Sequence, residues 1–162
     1  MATIELIRQK ILNSQSLQMA LNKWYLNHNN IVFTNGCFDL VHRGHIDYLS
    51  KAADLGDVLI IGLNSDDSVS RLKGKNRPII DEYSRALLLA SFTFVTGVVI
   101  FDEDTPYNLI NIIKPDILVK GSDYNINEIV GHDIVLAKGG KVVTIDYLPG
   151  FSTSAIEKKI KD

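Results

Sequence analysis

Apolar residues recur along the chain in two alternating patterns: short uninterrupted runs, and positions spaced three or four apart. The runs at 31–33 and 58–63 are typical of strands that are covered on both faces of a parallel sheet. Between them, residues 44–55 carry apolar side chains at helical intervals, which predicts a helix. Gly56 follows this segment, where a glycine in the left-handed conformation commonly ends a helix.

The alternation of strand-like and helix-like segments continues towards the carboxyl end. Helices are predicted over 82–94, 106–113, 126–138 and 153–160, and strands over 95–101, 117–119 and 142–145. Residues 64–78 are predicted to be irregular, and amphipathic helices are predicted over 3–12 and 16–27. This alternation predicts a single doubly wound, Rossmann-like α/β domain with a five-stranded parallel sheet and helices on both faces.

Composition and charge narrow the class of protein. The 162 residues are 46% hydrophobic and 22% charged, with a net charge of −2, so the chain lacks the basic excess that nucleic-acid binding requires. Its one cysteine cannot form an internal disulfide, which fits a reducing compartment. No apolar run is long enough to span a membrane, and no secretion signal opens the chain. We therefore expect a cytoplasmic protein without a membrane partner.

The segment TNGCFDLVHRGH, residues 34–45, joins the first predicted strand to the next helix. In doubly wound sheets, ligands bind beyond the carboxyl ends of the strands, where such loops lie. Asn35 and Gly36 can turn sharply and bring backbone N–H groups near a phosphate. His42 and His45 share one face of the first helical turn, where the helix dipole favours anions. This pattern indicates a site for phosphate charge.

Two other interpretations of the histidine pair stay open on the sequence alone. His42 and His45 could hold a metal ion with Asp39 or Cys37 as a third ligand, because the spacing permits it. Alternatively, one histidine caps the helix and the other packs against the protein. Neither alternative requires a bound phosphate.

A basic run follows the second predicted strand and comprises Arg71, Lys73, Lys75 and Arg77. Such a run is often only a solvated loop, but this one is predicted to lie at the same sheet edge as the histidines. Arg85, on the next predicted helix, is either a surface arginine or a phosphate ligand.

The loops after the fourth and fifth predicted strands also suit a nucleotide. Lys120 and Gly121 follow the fourth strand, and a lysine beside a glycine at a strand end suits a phosphate or a base edge. After the fifth strand, Ser152 and Thr153 offer hydroxyl groups at the start of a helix. That position suits a phosphate, or the hydroxyls simply cap the helix.

Several stretches of the chain resemble the motifs of one enzyme family. GCFDLVHRGH contains the H-x-G-H signature of the nucleotidyltransferase superfamily, and RLKGKNRPI, LVKGSDY and FSTSAI resemble later motifs of its cytidylyltransferase-like branch. The resemblance divides the chain into an N-terminal helical extension, residues 1–30, and a nucleotidyltransferase domain, residues 31–162. NSDDSVSRLKGKNRPI, DEDTP and PDILVKGSDY look most like the stand-alone heptose 1-phosphate adenylyltransferases of lipopolysaccharide synthesis.

The resemblance implies transfer of a nucleotidyl group from ATP or CTP to a phosphorylated sugar or polyol, with release of pyrophosphate. No resident metal is implied, only Mg²⁺ that arrives with the nucleotide, and a homodimer is expected. The implied catalytic residues are His42, His45 and Lys73. The implied nucleotide-binding residues are Asn35, Gly36, Phe38, Gly44, Arg85, Lys120, Gly121, Asp123, Ser152 and Thr153.

Particular roles follow from the same resemblance. The two histidines would hydrogen-bond the triphosphate and stabilise transition-state charge, while the acceptor oxygen attacks the α-phosphorus without a protein nucleophile. Lys73 would meet the acceptor phosphate or the triphosphate, and Arg85 the β- or γ-phosphate. In the last motif Ser154 stands where the family more often has threonine, and Ser154 with Glu157 predicts a capping box.

Three functions are compared. The first is transfer of AMP from ATP to heptose 1-phosphate, giving ADP-heptose. The alternative within the same chemistry is a glycerol-3-phosphate cytidylyltransferase that uses CTP. That branch usually carries Arg-Thr-Glu-Gly where this chain has Tyr-Leu-Pro-Gly at 147–150, which favours the first function. The third, a module that binds nucleotide without turnover, would be expected to lose His42 or His45.

Overall fold

The computed structural model describes residues 2–161, in which one five-stranded sheet is surrounded by helices. In chain order the elements are α1 (Thr3–Arg8), α2 (Ser14–Leu26), β1 (Ile31–Gly36), α3 (Arg43–Ala53), β2 (Val58–Asn64), α4 (Asp66–Lys73), α5 (Glu82–Ala90), β3 (Gly97–Phe101), α6 (Tyr107–Ile113), β4 (Ile117–Gly121), α7 (His132–Ala137), β5 (Lys141–Ile145) and α8 (Thr153–Lys161). A short 3-10 helix, Ile126–Glu128, precedes α7. Neighbouring strands pair in parallel throughout the sheet. The predicted fold class is confirmed.

The core consists of two apolar layers, one on each face of the sheet. Along β1, Ile31 and Phe33 belong to one layer and Val32 to the other, because successive side chains of a strand point to opposite faces. Buried residues of α2, α6 and α7 cover the first layer, and those of α3 and α5 cover the second. Both faces of β1 are therefore buried, as its apolar run predicts. Every helix in residues 2–161 is too short or too polar to cross a membrane.

The strand order is β3-β2-β1-β4-β5, so the chain reverses its direction across the sheet between β3 and β4. β1 lies at the centre, with β2 on one side and β4 on the other. Ligands of such sheets bind in the crevice outside the carboxyl ends of the strands at this reversal. The loops that follow β1 and β4 therefore border the crevice where a ligand is expected.

The amino-terminal helices pack against the same core as the rest of the chain. Leu17 and Leu21 of α2 are buried in the first apolar layer. The helix predicted over 3–12 ends earlier, at Arg8, and Ile11 instead forms a parallel bridge with Val98 of β3. The division into an extension of residues 1–30 and a domain of residues 31–162 stays a prediction.

Residues 64–78 contain a helix, α4, contrary to the prediction of an irregular segment. The Ser65 hydroxyl caps α4 by accepting a hydrogen bond from the Ser68 amide (3.0 Å). Asp66 and Asp67 lie in its first turn, where the helix dipole favours negative charge. The apolar pattern did not reveal α4 because Val69 is its one buried apolar residue.

Two glycines account for differences between the predicted and the observed structure. The helix predicted over 126–138 is divided, because Gly131 adopts the left-handed conformation (φ 85°) just before α7. Gly56 does not adopt the left-handed conformation predicted for it. A Cβ at Gly56 would lie 2.7 Å from the Asn30 carbonyl oxygen, so glycine is needed there for the close passage of two chain segments.

Candidate active site

His42 and His45 cap the start of α3 and stack on each other. The His42 Nδ1 atom accepts a hydrogen bond from the Gly44 amide (3.1 Å), and His45 Nδ1 accepts one from the His42 amide (3.3 Å). The ring centroids are 3.9 Å apart. A capping histidine, one of the alternatives left open by the sequence, is therefore present. Capping uses only the Nδ1 side of each ring and leaves Nε2 to face another partner.

These hydrogen bonds define which nitrogen carries the proton. Because each Nδ1 atom accepts a backbone N–H, the proton of the neutral ring is assigned to Nε2. Burial lowers the pKa of His42. For His45, burial is again the main cause, and the nearby His42 and Lys73 add to it, so that the pKa falls to about 4. At neutral pH the pair therefore presents two uncharged Nε2–H donors at a helix N-terminus that favours anions.

Gly36, Phe38 and Gly44 shape the space around the histidines. The Phe38 ring meets His45 edge-on, with centroids 5.3 Å apart, and its backbone has φ 46°, which is uncommon for a residue with a side chain. A Cβ at Gly36 would lie 3.0 Å from the Phe38 ring, and one at Gly44 would lie 3.0 Å from the His42 ring. These three predicted residues therefore lie beside the histidines, and their contacts with a nucleotide stay predictions.

Two cavities open around the histidines. The first, named here the lysine cavity, has a volume of about 450 Å³, and its lining includes Asn35, Gly36, Phe38, Lys73 and Lys120. The second, named the histidine cavity, has a volume of about 520 Å³, and its lining includes His42, Gly44, Asp123, Phe151 and Ser152. Both cavities are lined by His45, Tyr147 and Thr153. These three residues form the wall that the cavities share.

The two lysines of the lysine cavity differ in their surroundings. Lys73 is exposed in the last turn of α4. Lys120, in β4, is partly buried, and its Nζ donates one long hydrogen bond to the Asn35 carbonyl oxygen (3.4 Å). Its ammonium group also lies 5.5 Å from the centre of the Tyr124 ring. Burial lowers the pKa of Lys120 to about 8, so this lysine loses its charge under mildly alkaline conditions.

Tyr147 stands at the shared wall and was not predicted as a site residue. Its hydroxyl lies against Gly121, so that any Cβ at Gly121 would overlap it. Burial raises the pKa of Tyr147 to about 12, and the negative charge of the neighbouring Asp123 carboxylate adds to this shift. The one sequence signal for this residue is the Tyr-Leu-Pro-Gly stretch at 147–150, which departs from the cytidylyltransferase motif.

Ser152 lies just before α8 and caps it. Its hydroxyl accepts a hydrogen bond from a backbone N–H of the first turn (3.1 Å). The capping box predicted from Ser154 and Glu157 is wrong, because Ser154 lies inside the helix and Glu157 pairs with Arg77. Ser152 and Thr153 nevertheless lie beside the histidines, since both line the histidine cavity.

Arg85 does not occupy the position predicted for it. Its side chain is fully buried, and the guanidinium donates to the carbonyl oxygens of Ile80 (2.9 Å), Cys37 (2.6 Å) and Asn64 (2.9 Å). The same group forms an ion pair with Asp66 (2.7 Å). The structure thus contradicts the predicted phosphate contact, because the guanidinium is enclosed and holds together the loops that follow β1 and β2.

A network of charges joins three segments near the site. Asp39, in the loop after β1, accepts hydrogen bonds from the amides of Ile79 (2.8 Å) and Ile80 (2.9 Å) and from Arg77 Nε (2.6 Å). Arg77 also pairs with Glu157 of α8. The Asp39 carboxylate is thereby occupied by these partners, although Asp39 lines the lysine cavity together with His45. Across residues 2–161, no group of three or more His, Cys, Asp and Glu side chains is placed to hold a metal ion, so the alternative metal site is not assembled.

Comparison with known proteins identifies the family. A family model described as cytidylyltransferase-like matches residues 33–159, a range that includes all the predicted site residues. The chain belongs to the cytidylyltransferase-like family. The family predicted from the H-x-G-H signature is therefore confirmed.

Curated relatives of this cytidylyltransferase-like chain include proteins named bifunctional protein HldE. The one from Campylobacter jejuni is 58% identical over 154 residues, which are 95% of this chain and 32% of the relative. The one from Wolinella succinogenes is 51% identical over 154 residues, with the same two shares. The chain thus spans about a third of the length of the curated relatives that it matches.

Solved structures support the fold of the family. A lipopolysaccharide core biosynthesis protein from Thermoplasma volcanium matches with a TM-score of 0.63 and 30% identity, covering 74% of this chain and 98% of that protein. A pantoate-beta-alanine ligase from Francisella tularensis matches with a TM-score of 0.59 and 17% identity, covering 93% of this chain and 76% of that one. The second match concerns the fold alone.

Proposed function

We propose that this chain transfers AMP from ATP to the phosphate of heptose 1-phosphate, giving ADP-heptose and pyrophosphate for lipopolysaccharide core synthesis. Support comes from the 58% identity to a bifunctional protein HldE, a protein whose carboxyl-terminal domain is a heptose 1-phosphate adenylyltransferase. The observation that carries the proposal is the stacked pair of neutral histidines, which lies at a helix N-terminus beside two adjoining cavities.

The proposed reaction is a direct displacement at phosphorus. A phosphate oxygen of the acceptor attacks the α-phosphorus of ATP and forms a new P–O bond, while the bond to the bridging oxygen of the β-phosphate breaks. Pyrophosphate leaves with the bonding electron pair, so the protein contributes positioning and charge stabilisation. Two cavities that share His45 and Thr153 suit this reaction, because each substrate can occupy one cavity and meet the other at the common wall.

In this proposal the triphosphate occupies the histidine cavity. The Nε2–H groups of His42 and His45 and the N-termini of α3 and α8 all favour an anion there. Preorganised donors of this kind stabilise the negative charge that develops in the transition state. A bound triphosphate would also raise the pKa values of the two rings, because nearby negative charge favours the protonated imidazole.

We propose that Mg²⁺ arrives with the nucleotide, where it would neutralise charge on the phosphates. Magnesium commonly binds through substrate phosphates and few protein ligands. Asp123 is the carboxylate that lines the histidine cavity among the residues the structure describes, and it would supply a protein ligand. Such a site needs no preassembled cluster of metal-binding side chains.

CTP with glycerol 3-phosphate is the second candidate pair, because the matching family model is described as cytidylyltransferase-like. A pyrophosphate-release assay that crosses ATP and CTP with heptose 1-phosphate and glycerol 3-phosphate separates the candidates. We expect the highest kcat/KM for ATP with heptose 1-phosphate. Preference for CTP with glycerol 3-phosphate would establish the second candidate. Nucleotide binding without pyrophosphate release from any pair would indicate a binding module instead.

The assembly and the location of the protein are also proposals. We propose a homodimer that acts in the cytoplasm. Light scattering on the purified protein should give about twice the monomer mass of 18.0 kDa. A monomer mass at the protein concentration of the assay would contradict the dimer without affecting the proposed chemistry.

A further inference from the structure

Lys120 carries a positive charge that no ion pair in residues 2–161 neutralises. Its Nζ makes a 3.4 Å hydrogen bond to the Asn35 carbonyl oxygen and lies 5.5 Å from the centre of the Tyr124 ring. An ammonium group has three N–H donors, so these contacts leave donors for a ligand. Cys37 and Asp123 act on Lys120 electrostatically without forming a close ion pair.

Lys120 lines the lysine cavity but not the histidine cavity. A partly buried cation without a counter-ion costs free energy, which a bound anion would offset. Lys120 lines the lysine cavity only, whereas His42 and Ser152 line the histidine cavity only. An anion held by Lys120 would therefore lie across the shared wall from a triphosphate in the histidine cavity.

The lysine cavity also offers acceptors for hydroxyl groups. Its lining includes the carboxylates Glu128 and Asp104, of which Asp104 is held by Arg71 at 2.8 Å. The side-chain oxygen of Asn35 is buried without a hydrogen-bond partner in the described residues, although buried acceptors are normally satisfied. A cavity that combines ammonium groups with hydroxyl acceptors matches a ligand with one anionic group and several hydroxyls, as in a sugar phosphate.

We propose that Lys120 binds the phosphate of the sugar-phosphate acceptor in the lysine cavity and directs its attacking oxygen towards the shared wall. This inference rests on the proposed function. It moves Lys120 from the nucleotide, where the sequence resemblance placed it, to the acceptor. Lys73 of α4 lines the same cavity and adds a second cation. Because Lys73 is exposed, its ammonium group stays hydrated and is held in position less firmly than that of Lys120.

Steady-state kinetics with three variants test the assignment. Lys120→Met removes the charge and nearly keeps the length, Lys120→Arg keeps the charge, and Lys75→Met removes an exposed charge as the control. Lys120→Met should raise the KM for heptose 1-phosphate roughly ten- to a hundredfold, the usual cost of a hydrogen bond to a charged group, with the KM for ATP within about twofold. Lys120→Arg should lose less, and Lys75→Met should match the wild type. A larger rise in the KM for ATP would return Lys120 to the nucleotide and overturn the proposal.

A measurement of phosphate binding in the absence of nucleotide tests the role of Lys120 independently of the proposed reaction. Inorganic phosphate is titrated calorimetrically into the wild type, Lys120→Met and Lys75→Met. Because the histidine cavity also favours an anion, the readout is the number of phosphate sites: a site that is lost in Lys120→Met and kept in Lys75→Met supports the anion site at Lys120, even if heptose 1-phosphate proves not to be a substrate. Absent binding in the wild type, or equal binding in all three proteins, overturns the proposal even if ADP-heptose is made. Equal melting temperatures would show that Lys120→Met is folded.

The pH profile supplies a readout that a purely structural lysine would not change. Because the pKa of Lys120 is about 8, kcat/KM for the acceptor should fall above that pH as the ammonium loses its proton. The other titratable side chains that line the lysine cavity with Lys120 are Cys37, Asp39, His45, Tyr48, Lys73, Asp104, Tyr124, Glu128 and Tyr147. Asp123, which does not line this cavity, also acts on Lys120 electrostatically. Lys120→Arg keeps its charge, so its profile should stay level to higher pH. Identical alkaline limbs in the wild type and Lys120→Arg would overturn the assignment.

Discussion

Replacing Asp39 with alanine is expected to destabilise the fold by releasing the loop between α4 and α5. Asp39 is only 2% exposed and accepts hydrogen bonds from the Ile79 and Ile80 amides and from Arg77. Arg77 in turn pairs with Glu157 of α8. One carboxylate therefore connects the loop after β1, the loop after α4 and the last helix.

The magnitude follows from the groups that lose their partner. A fully buried backbone N–H left without an acceptor costs about 1–3 kcal/mol, and the part-buried amides of Ile79 and Ile80 lie at the lower end of this range. Removing one partner of a buried ion pair costs about 3–5 kcal/mol. The two contributions overlap, and Arg77 keeps Glu157 as a counter-ion. We therefore expect a loss of about 3–5 kcal/mol in the free energy of unfolding, which lowers the melting temperature of a chain this long by roughly 6–20 °C.

Urea and thermal unfolding, followed by circular dichroism, measure this loss. Asp39→Asn should fall between the wild type and Asp39→Ala, because asparagine keeps one oxygen acceptor but not the charge. Asp47→Ala is the matched control. Asp47 pairs with Lys51 on the surface of α3, and such pairs contribute about 0–1 kcal/mol. An Asp39→Ala protein as stable as Asp47→Ala would refute the reasoning.

The charge of Asp39 also predicts the pH dependence of this loss. Burial alone would raise the pKa of Asp39, but hydrogen bonds from Ile80, Ile79 and Arg77 outweigh it, and the pKa lies below its ordinary value. As pH falls below the unfolded-state pKa of about 3.9, the unfolded chain takes up the proton first. The stabilisation is therefore complete above that pH and is lost as pH falls through the folded-state pKa. If the difference in unfolding free energy between the wild type and Asp39→Ala does not decrease in acid, the charge of Asp39 is not the source of that difference.

Three further predictions concern residues of the candidate site. His45→Ala should lower turnover by a factor of about 10²–10³ while nucleotide binding changes far less. Near wild-type turnover in single-turnover kinetics would contradict a role of His45 in stabilising the transition state. Lys73→Ala should raise the KM for one substrate or lower turnover, whereas Lys75→Ala should not; equal, small effects would mean that the basic run is only solvated. Arg85→Met should cost about 3–5 kcal/mol in urea unfolding, because Asp66 and three carbonyl oxygens lose their partner. A fully stable but inactive Arg85→Met would restore the phosphate role.

The pattern of the sequence was sufficient to predict the architecture. The apolar runs at 31–33 and 58–63 are the buried β1 and β2, and the spacing over 44–55 is α3. Periodicity reports which face of a segment meets the core, and alternating strands and helices leave few topologies. The same reasoning located the histidine pair, because loops after parallel strands lie at the ligand-binding edge.

The partners of charged side chains were beyond reach of the same reasoning. Arg85 had the local sequence of a surface or phosphate-binding arginine, but its carbonyl partners lie up to 48 residues away. Asp39 and Arg77 are 38 residues apart, and Arg77 and Glu157 are 80 apart. An arginine has the same local sequence preferences whether it meets a phosphate, a carboxylate or a carbonyl oxygen, because its planar donors suit all three.

The sequence by itself determined the family, the order of the five strands and of the helices other than α4, and the placement of His42 and His45 at the start of a helix beyond β1. The tertiary structure alone decided that both rings present Nε2–H, that Lys120 lines a cavity that includes His45 but not His42, and that Arg85 is enclosed. The physical reason is distance along the chain. Apolar periodicity is set by neighbours a few residues apart, whereas each of these decisions depends on how loops from separate strands pack against one another.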